Sequence, residues 1–170
     1  MSLVRSVMPP LVFLAFAMLA AVPWGAASAS GIIGPLLPAV VLHAMNSRSP
    51  GAVPEWLTFL GGLSLDALTQ GPLGYFALVY LMAYVMAAMT PVSSNRLVSW
   101  LRYAPALVVV LATAWLVSSL YMLRAQDVMG YIEAGAVAFC AFPVLSWLLQ
   151  PLTPAPVGPG AATYTRGAGL

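Results

Sequence analysis

Long apolar stretches alternate with short polar connections along the chain as far as residue 150. An α-helix needs roughly 20 mostly apolar residues to cross a bilayer, and a helix buried among others can be shorter. The pattern predicts six transmembrane helices, at residues 8–27, 31–45, 56–68, 73–89, 104–121 and 133–149. No segment shows the alternation of apolar and polar residues that a membrane β-strand needs. The predicted fold class is therefore all-α, a compact polytopic bundle.

The composition of the chain supports a lipid environment. Of its 170 residues, 62% are hydrophobic and 6% are charged, whereas soluble domains have about 45–50% and about 25%. Four acidic residues, six Arg and no Lys cannot build the charged surface that keeps a protein in solution. The net charge of +2 comes from scattered Arg and offers no basic stripe for nucleic acid. A single Cys and a single His exclude an intrachain disulfide and a His-rich metal site.

The Arg residues predict the orientation of the helices. If the N-terminus is cytoplasmic, the cytoplasmic side carries Arg5, Arg48, Arg96, Arg102 and Arg166. Only Arg124 then lies outside, between the fifth and sixth helices. Because positively charged residues concentrate on the cytoplasmic side of membrane proteins, both termini are predicted to be cytoplasmic.

The first predicted helix also has features of a secretory signal. Arg5 precedes an apolar stretch, and Ala27-Ser28-Ala29 has the form of a cleavage site. The apolar stretch is longer than a usual signal core, and the bulky Trp24 lies close to the cut. Retention of the helix is the favoured interpretation. Cleavage would leave five helices with the same orientation downstream.

The end of the chain differs in character from the rest. From Pro151 onward it is rich in Pro and Gly, which can neither hold a helix nor build a core. Residues 1–150 are therefore predicted to form the transmembrane domain, and residues 151–170 a disordered cytoplasmic tail. No internal repeat is visible, so the symmetry of an inverted-repeat transporter is not indicated.

Asp66 is the acidic residue that lies inside an apolar segment. At the bilayer centre such a residue costs about 2.5–3.5 kcal/mol, so a partner must meet it. Thr58, Gly62, Asp66 and Thr69 share one helix face because they are spaced 4, 4 and 3 residues apart. Small residues let a neighbouring helix come close, and polar ones hydrogen-bond across the contact. Gly71 and Pro72 then break the helix.

Three roles for Asp66 follow from this position. It can anchor a contact with another helix or a partner protein, line an ion path, or stabilise the turn at residues 70–74 by accepting backbone N–H bonds. Packing and turn roles are favoured over an ion path, because no Lys, Arg, Glu or His lies inside the membrane at the same depth. Arg124 is the candidate ion-pair partner, although it can equally pair with Asp127.

The other polar residues have structural explanations. His43 is predicted to be a hydrogen-bonded structural residue, and Glu55 and Glu133 to open the third and sixth helices. The loop from Pro91 to Arg102, with Arg96 and Arg102, is the predicted contact surface for a cytoplasmic partner. No base is placed to activate a Ser, and Asp66 alone does not make a catalytic set. Neither an enzyme nor a cofactor site is predicted.

The unit around Asp66 carries a recognisable pattern. It reads Leu60-Gly61-Gly62-Leu63, Leu65-Asp66-Ala67-Leu68 and Gly71-Pro72-Leu73-Gly74, followed by Ala77-Leu78. This pattern resembles that of the rod shape-determining protein MreD family. The chain length, the five or six predicted helices and Ser49-Pro50 ahead of the pattern agree with the resemblance.

The resemblance implies a non-enzymatic component of the bacterial inner membrane. Such proteins belong to the rod or elongation complex, which directs lateral peptidoglycan synthesis and maintains cell shape. The implied partners are an MreC-like bitopic membrane protein, the actin-like MreB filament, the peptidoglycan synthases of the complex and membrane lipid. The family resembles in fold the substrate-binding subunits of energy-coupling-factor transporters, so a vitamin-binding transporter subunit is the alternative function.

Overall fold

The computed structural model describes residues 2–22, 30–90 and 95–153, with side chains from residues 7–22, 33–90 and 95–153. This part of the chain is all-helical and contains no strand. The six helices are α1 (Ser2–Ala20), α2 (Ser30–Asn46), α3 (Glu55–Thr69), α4 (Tyr75–Met89), α5 (Arg96–Tyr121) and α6 (Val128–Leu148), followed by a 3₁₀ turn at Gln150–Leu152. The prediction of an all-α chain with six helices is confirmed for the described residues.

The fifth and sixth helices begin earlier than predicted. α5 begins at Arg96 instead of residue 104, because the Asn95 side chain caps it by accepting the Leu97 N–H at 2.9 Å. α6 begins at Val128 instead of residue 133, because Asp127 accepts the Met129 N–H at 3.1 Å. The predicted loop position of Arg96 and Arg102 is therefore wrong, and both lie in the first two turns of α5. Glu133 likewise lies within α6 and does not open it.

Two predictions about the ends of the chain change in detail. α1 ends at Ala20 instead of residue 27, and a turn follows at residues 21–22. At the other end, the 3₁₀ turn packs against α1 and α6 and Thr153 is buried, so residues 151–153 belong to the packed bundle and not to a tail. The cleavage site at residues 27–29 and the tail from residue 154 lie outside the described residues, as do the side chains of Arg5 and Arg166.

α2 lies at the centre of the bundle. It packs against α1, α4 and α6, and its side chains from Ala39 to Met45 are all buried. Across the α2–α4 contact, the Tyr80 hydroxyl donates a hydrogen bond of 2.8 Å to the Pro35 carbonyl oxygen.

The outer helices place large apolar side chains on the surface. α5 packs on α4 and α6, but Val108, Leu116 and Leu120 are 63%, 52% and 65% exposed. α5 and α6 are long and apolar enough to cross a membrane, and only 28% of the most apolar window of each is buried. Shorter apolar helical stretches occupy Val7–Ala20, Ile33–Asn46 and Tyr75–Met89. The exposed apolar surface is therefore extensive among the described residues.

α3 and α4 form a hairpin whose helices come very close at Gly62. A Cβ atom at this position would lie 2.7 Å from the Phe76 carbonyl carbon and would overlap the Ala77 backbone. The obstacle is backbone, which cannot rotate away as a side chain can. Gly61 faces α1 instead, where a Cβ atom would lie 2.7 Å from Cε1 of Phe13. The adjacent glycines therefore serve two different helix contacts.

We expect Gly62→Ala to lower the free energy of unfolding in detergent micelles, by about 1–3 kcal/mol in net terms, because the added methyl group forces α3 and α4 apart. Gly34→Ala is the matched control, since the nearest atom to its added Cβ is the Ala20 carbonyl oxygen at 3.7 Å. That variant should be unchanged or slightly more stable, because Ala favours helix over Gly. Equal stability of the two variants would contradict the close approach.

Candidate functional site

The carboxyl group of Asp66 is completely enclosed by the protein, with an exposed fraction of 0%. It lies in the last turn of α3 and faces the first turn of α4. Its Oδ2 atom accepts the Gly74 N–H at 2.8 Å, and its Oδ1 atom accepts the Phe76 N–H at 2.9 Å. Both oxygens therefore act as acceptors for backbone N–H groups of the α4 start.

This contact supplies hydrogen-bond acceptors that the start of α4 would otherwise lack. The first N–H groups of an α-helix have no acceptor within the helix, and a side chain at the cap position usually supplies one. At α4 the cap position is Gly74, which has no side chain and adopts a left-handed conformation with φ of +93°. Asp66 therefore caps α4 from the neighbouring helix.

The turn between the two helices is fixed by the same residue. The residue that follows α3, Gln70, has a left-handed conformation with φ of 53°. The Gly71 N–H donates to the backbone oxygen of Asp66 at 3.1 Å, and the Tyr75 N–H donates to the Pro72 oxygen at 3.1 Å. Asp66 thus contacts the turn through its backbone and the next helix through its side chain.

The predicted stripe on α3 lies inside this chain over most of its length. Thr58 and Asp66 are 0% exposed and Gly62 is also buried, so none of them is available to another protein. The Thr58 hydroxyl donates to the Pro54 oxygen at 3.1 Å. Thr69 departs from the stripe: it is exposed, and its hydroxyl donates to the Leu65 oxygen of its own helix at 2.8 Å. The stripe is therefore a contact within the bundle.

The candidate ion pair between Asp66 and Arg124 is not formed. Arg124 is exposed in the connection between α5 and α6, and both Asp66 oxygens are occupied by backbone N–H groups. Arg124 does not pair with Asp127 either, whose carboxylate caps α6. Both predicted partners of Arg124 are therefore wrong, because each carboxyl group instead caps the start of a helix.

The side chains around His43 form a group that the sequence does not predict. The His43 Nε2 atom lies 3.2 Å from the Thr90 hydroxyl, and its ring centre lies 4.8 Å from that of Tyr103 and 5.8 Å from that of Phe142. Tyr103 and Phe142 stack with their centres 4.1 Å apart. These contacts join α2 to α4, α5 and α6. The partners are 47 to 99 residues away in sequence, so no local pattern could have found them.

A cavity beside His43 is lined by apolar side chains and by Tyr103. Its volume is about 10 Å³, close to what one water molecule requires. In the part of the chain with described side chains, no three His, Cys, Asp or Glu residues come together in a way that could hold a metal ion. The chemistry that the described polar groups support is hydrogen bonding between helices.

No protein-family model, curated protein or solved structure matches this chain. The function must therefore be inferred from the structure of the chain itself, namely from the hairpin around Asp66 and the apolar surface of the bundle.

We expect Asp66→Ala to lower the free energy of unfolding in micelles by about 2–4 kcal/mol, because it leaves two partly buried N–H groups without an acceptor. Asp66→Asn keeps one acceptor oxygen and should cost less. The measurement is a denaturant titration followed by circular dichroism.

Two matched controls separate this role from ordinary capping and from general charge effects. Asp127→Ala removes an exposed cap and should cost about 1 kcal/mol. Arg124→Gln should change stability by less than about 0.5 kcal/mol, because it removes no contact of Asp66. If Arg124→Gln lowers the free energy of unfolding as much as Asp66→Ala does, the result would support an ion pair between the two residues and contradict the capping role.

Proposed function

We propose that this chain is a multi-pass protein of the bacterial inner membrane with both termini in the cytoplasm. Two of its helices are long enough to cross a membrane, and they leave most of their apolar surface outside the bundle. A monomeric soluble protein rarely exposes contiguous apolar surface on this scale. Hydrocarbon is the solvent that fits side chains such as Leu116 and Val144, which are 52% and 63% exposed.

Within that membrane, the proposed role is that of an MreD-like, non-enzymatic component of the rod or elongation complex. The single observation that supports it most is the position of the MreD-like pattern. Gly62 sets the approach of α3 and α4, Asp66 caps α4, and Gly74 supplies the left-handed backbone. The pattern therefore coincides with the residues that build one hairpin, which is what a family-wide structural motif should do.

The proposed partners are an MreC-like bitopic protein, the MreB filament and the peptidoglycan synthases of the complex. Because the Asp66 stripe is buried within the chain, a membrane partner would contact the outward side of α3, where Phe59 and Leu60 are 43% and 47% exposed. A cytoplasmic partner would contact the exposed first turns of α5 near Arg102.

The alternative function, a vitamin-binding transporter subunit, has less support. A small-molecule site usually encloses about 300–1,000 Å³ and several convergent polar groups. The cavity beside His43 is about 10 Å³ and mostly apolar. No feature of the described residues favours this function over a scaffold.

Depletion in a rod-shaped bacterium that carries the gene tests the proposal. We expect depleted cells to become round, because wall synthesis along the cylinder loses a membrane component. Wild-type protein and Arg124→Gln should restore the rod, whereas Asp66→Ala should not, since its α3–α4 hairpin is destabilised. Membrane levels of each variant are measured in parallel. Cells that keep their shape and their pattern of wall growth after depletion would contradict the role.

The same strain locates the partner contact by cysteine crosslinking. In a Cys140→Ser background, Leu60→Cys presents a thiol on the outward side of α3, and Leu65→Cys, which is 1% exposed, is the buried control. We expect a crosslink to the MreC-like protein from position 60 and none from position 65. Equal crosslinking from both positions would show that α3 is not packed as described.

A further inference from the structure

Two Arg residues lie together at the cytoplasmic end of the proposed topology. His43 near the end of α2 contacts Thr90, just after α4, and its ring packs on Tyr103 in the second turn of α5. These contacts bring the end of α2 and the start of α5 to the same place. Arg48 lies two residues after the end of α2, and Arg96 is the first residue of α5.

The loop that carries Arg48 is held firmly. Asn46 bonds both backbone groups of Val53: its Oδ1 atom accepts the Val53 N–H at 2.9 Å, and its Nδ2 atom donates to the Val53 oxygen at 3.4 Å. The Ser47 hydroxyl donates to the His43 oxygen at 2.6 Å. Ser47 and Ser49 on either side of Arg48 are buried, whereas Arg48 is half-buried. The backbone beneath the Arg48 guanidinium is therefore fixed before any ligand arrives.

The charges at this place are unbalanced. Burial and the nearby Arg96 guanidinium lower the pKa of the Arg48 guanidinium. Within the described residues, neither Arg forms an ion pair with a carboxylate. The first N–H groups of α5 add further positive potential beside Arg96. Two like charges near each other that pair with no described carboxylate favour the binding of an anion.

The depth of the pair indicates which anion. Trp56, in the first turn of α3, and Trp147, near the end of α6, are each 61% exposed at this end of the bundle. Exposed Trp side chains mark the interface between hydrocarbon and headgroups. Guanidinium groups at that depth meet lipid phosphates, which they bind through charge-assisted hydrogen bonds.

We propose that Arg48 and Arg96 together bind the phosphate of an anionic phospholipid headgroup on the cytoplasmic side of the membrane. This inference rests on the proposed membrane location and not on the role in the rod complex. The site recognises a phosphate next to a lipid tail, so a soluble phosphate ester alone should bind poorly.

Native mass spectrometry of the full chain in neutral detergent tests the site, with phosphatidylglycerol and phosphatidylcholine as the titrated lipids. We expect the wild-type protein to prefer phosphatidylglycerol. Arg48→Gln and Arg96→Gln should each weaken that binding about fivefold, from the usual contribution of one Arg at an anionic surface. Arg48→Lys should retain most of the binding, because it keeps the charge.

The controls are Arg102→Gln, which removes the same charge from the same end of α5, and Arg124→Gln at the opposite end of the bundle. Neither should change the binding of phosphatidylglycerol.

Equal weakening by all four Gln variants would overturn the site in favour of general charge attraction. Displacement of the lipid by glycerol phosphate would overturn the lipid assignment in favour of a soluble anion. A chain that enters neither micelles nor bilayers would overturn the membrane location as well, whereas loss of the lipid site leaves the cell-shape experiment unaffected.

Discussion

A carboxyl group that is closed off from solvent among apolar helices, as Asp66 is, needs hydrogen-bond donors from the protein. The start of a buried helix has the opposite need, because its first N–H groups lack acceptors. In this chain one contact satisfies both requirements: Asp66 of α3 accepts hydrogen bonds from the N–H groups of Gly74 and Phe76 at the start of α4. The contact is possible only because Gly62 allows the helices to approach.

The rest of the bundle depends on where this contact places α4. α4 packs against α2 and α5 as well as α3, and Tyr80 bonds to the Pro35 oxygen of the central helix. At the opposite end of α4, the group around His43 joins α2, α4, α5 and α6. The bundle is thus tied at both ends by polar groups whose hydrogen bonds are made inside the chain, which leaves apolar side chains to face outward.

Local features of this fold were predictable from the sequence, whereas contacts between distant residues were not. Apolar length predicted six helices, and the turn residues Gly71 and Pro72 predicted the hairpin. The starts of α5 and α6 were missed because the caps Asn95 and Asp127 lie several residues ahead of the apolar stretches. The partners of His43, and the donors that leave Asp66 no free oxygen for Arg124, depend on how the helices pack, which periodicity does not encode.

Hydrogen exchange of the Gly74 and Phe76 backbone N–H groups reports on the cap that Asp66 provides for α4. In nitrogen-15-labelled protein in micelles, we expect the Gly74 and Phe76 amides to exchange far more slowly than that of Leu73, which is 77% exposed in the same turn. In the Asp66→Ala variant, the Gly74 and Phe76 rates should rise toward the rate of Leu73. If the Gly74 and Phe76 amides already exchange as fast as Leu73 in the wild-type protein, Asp66 does not cap α4.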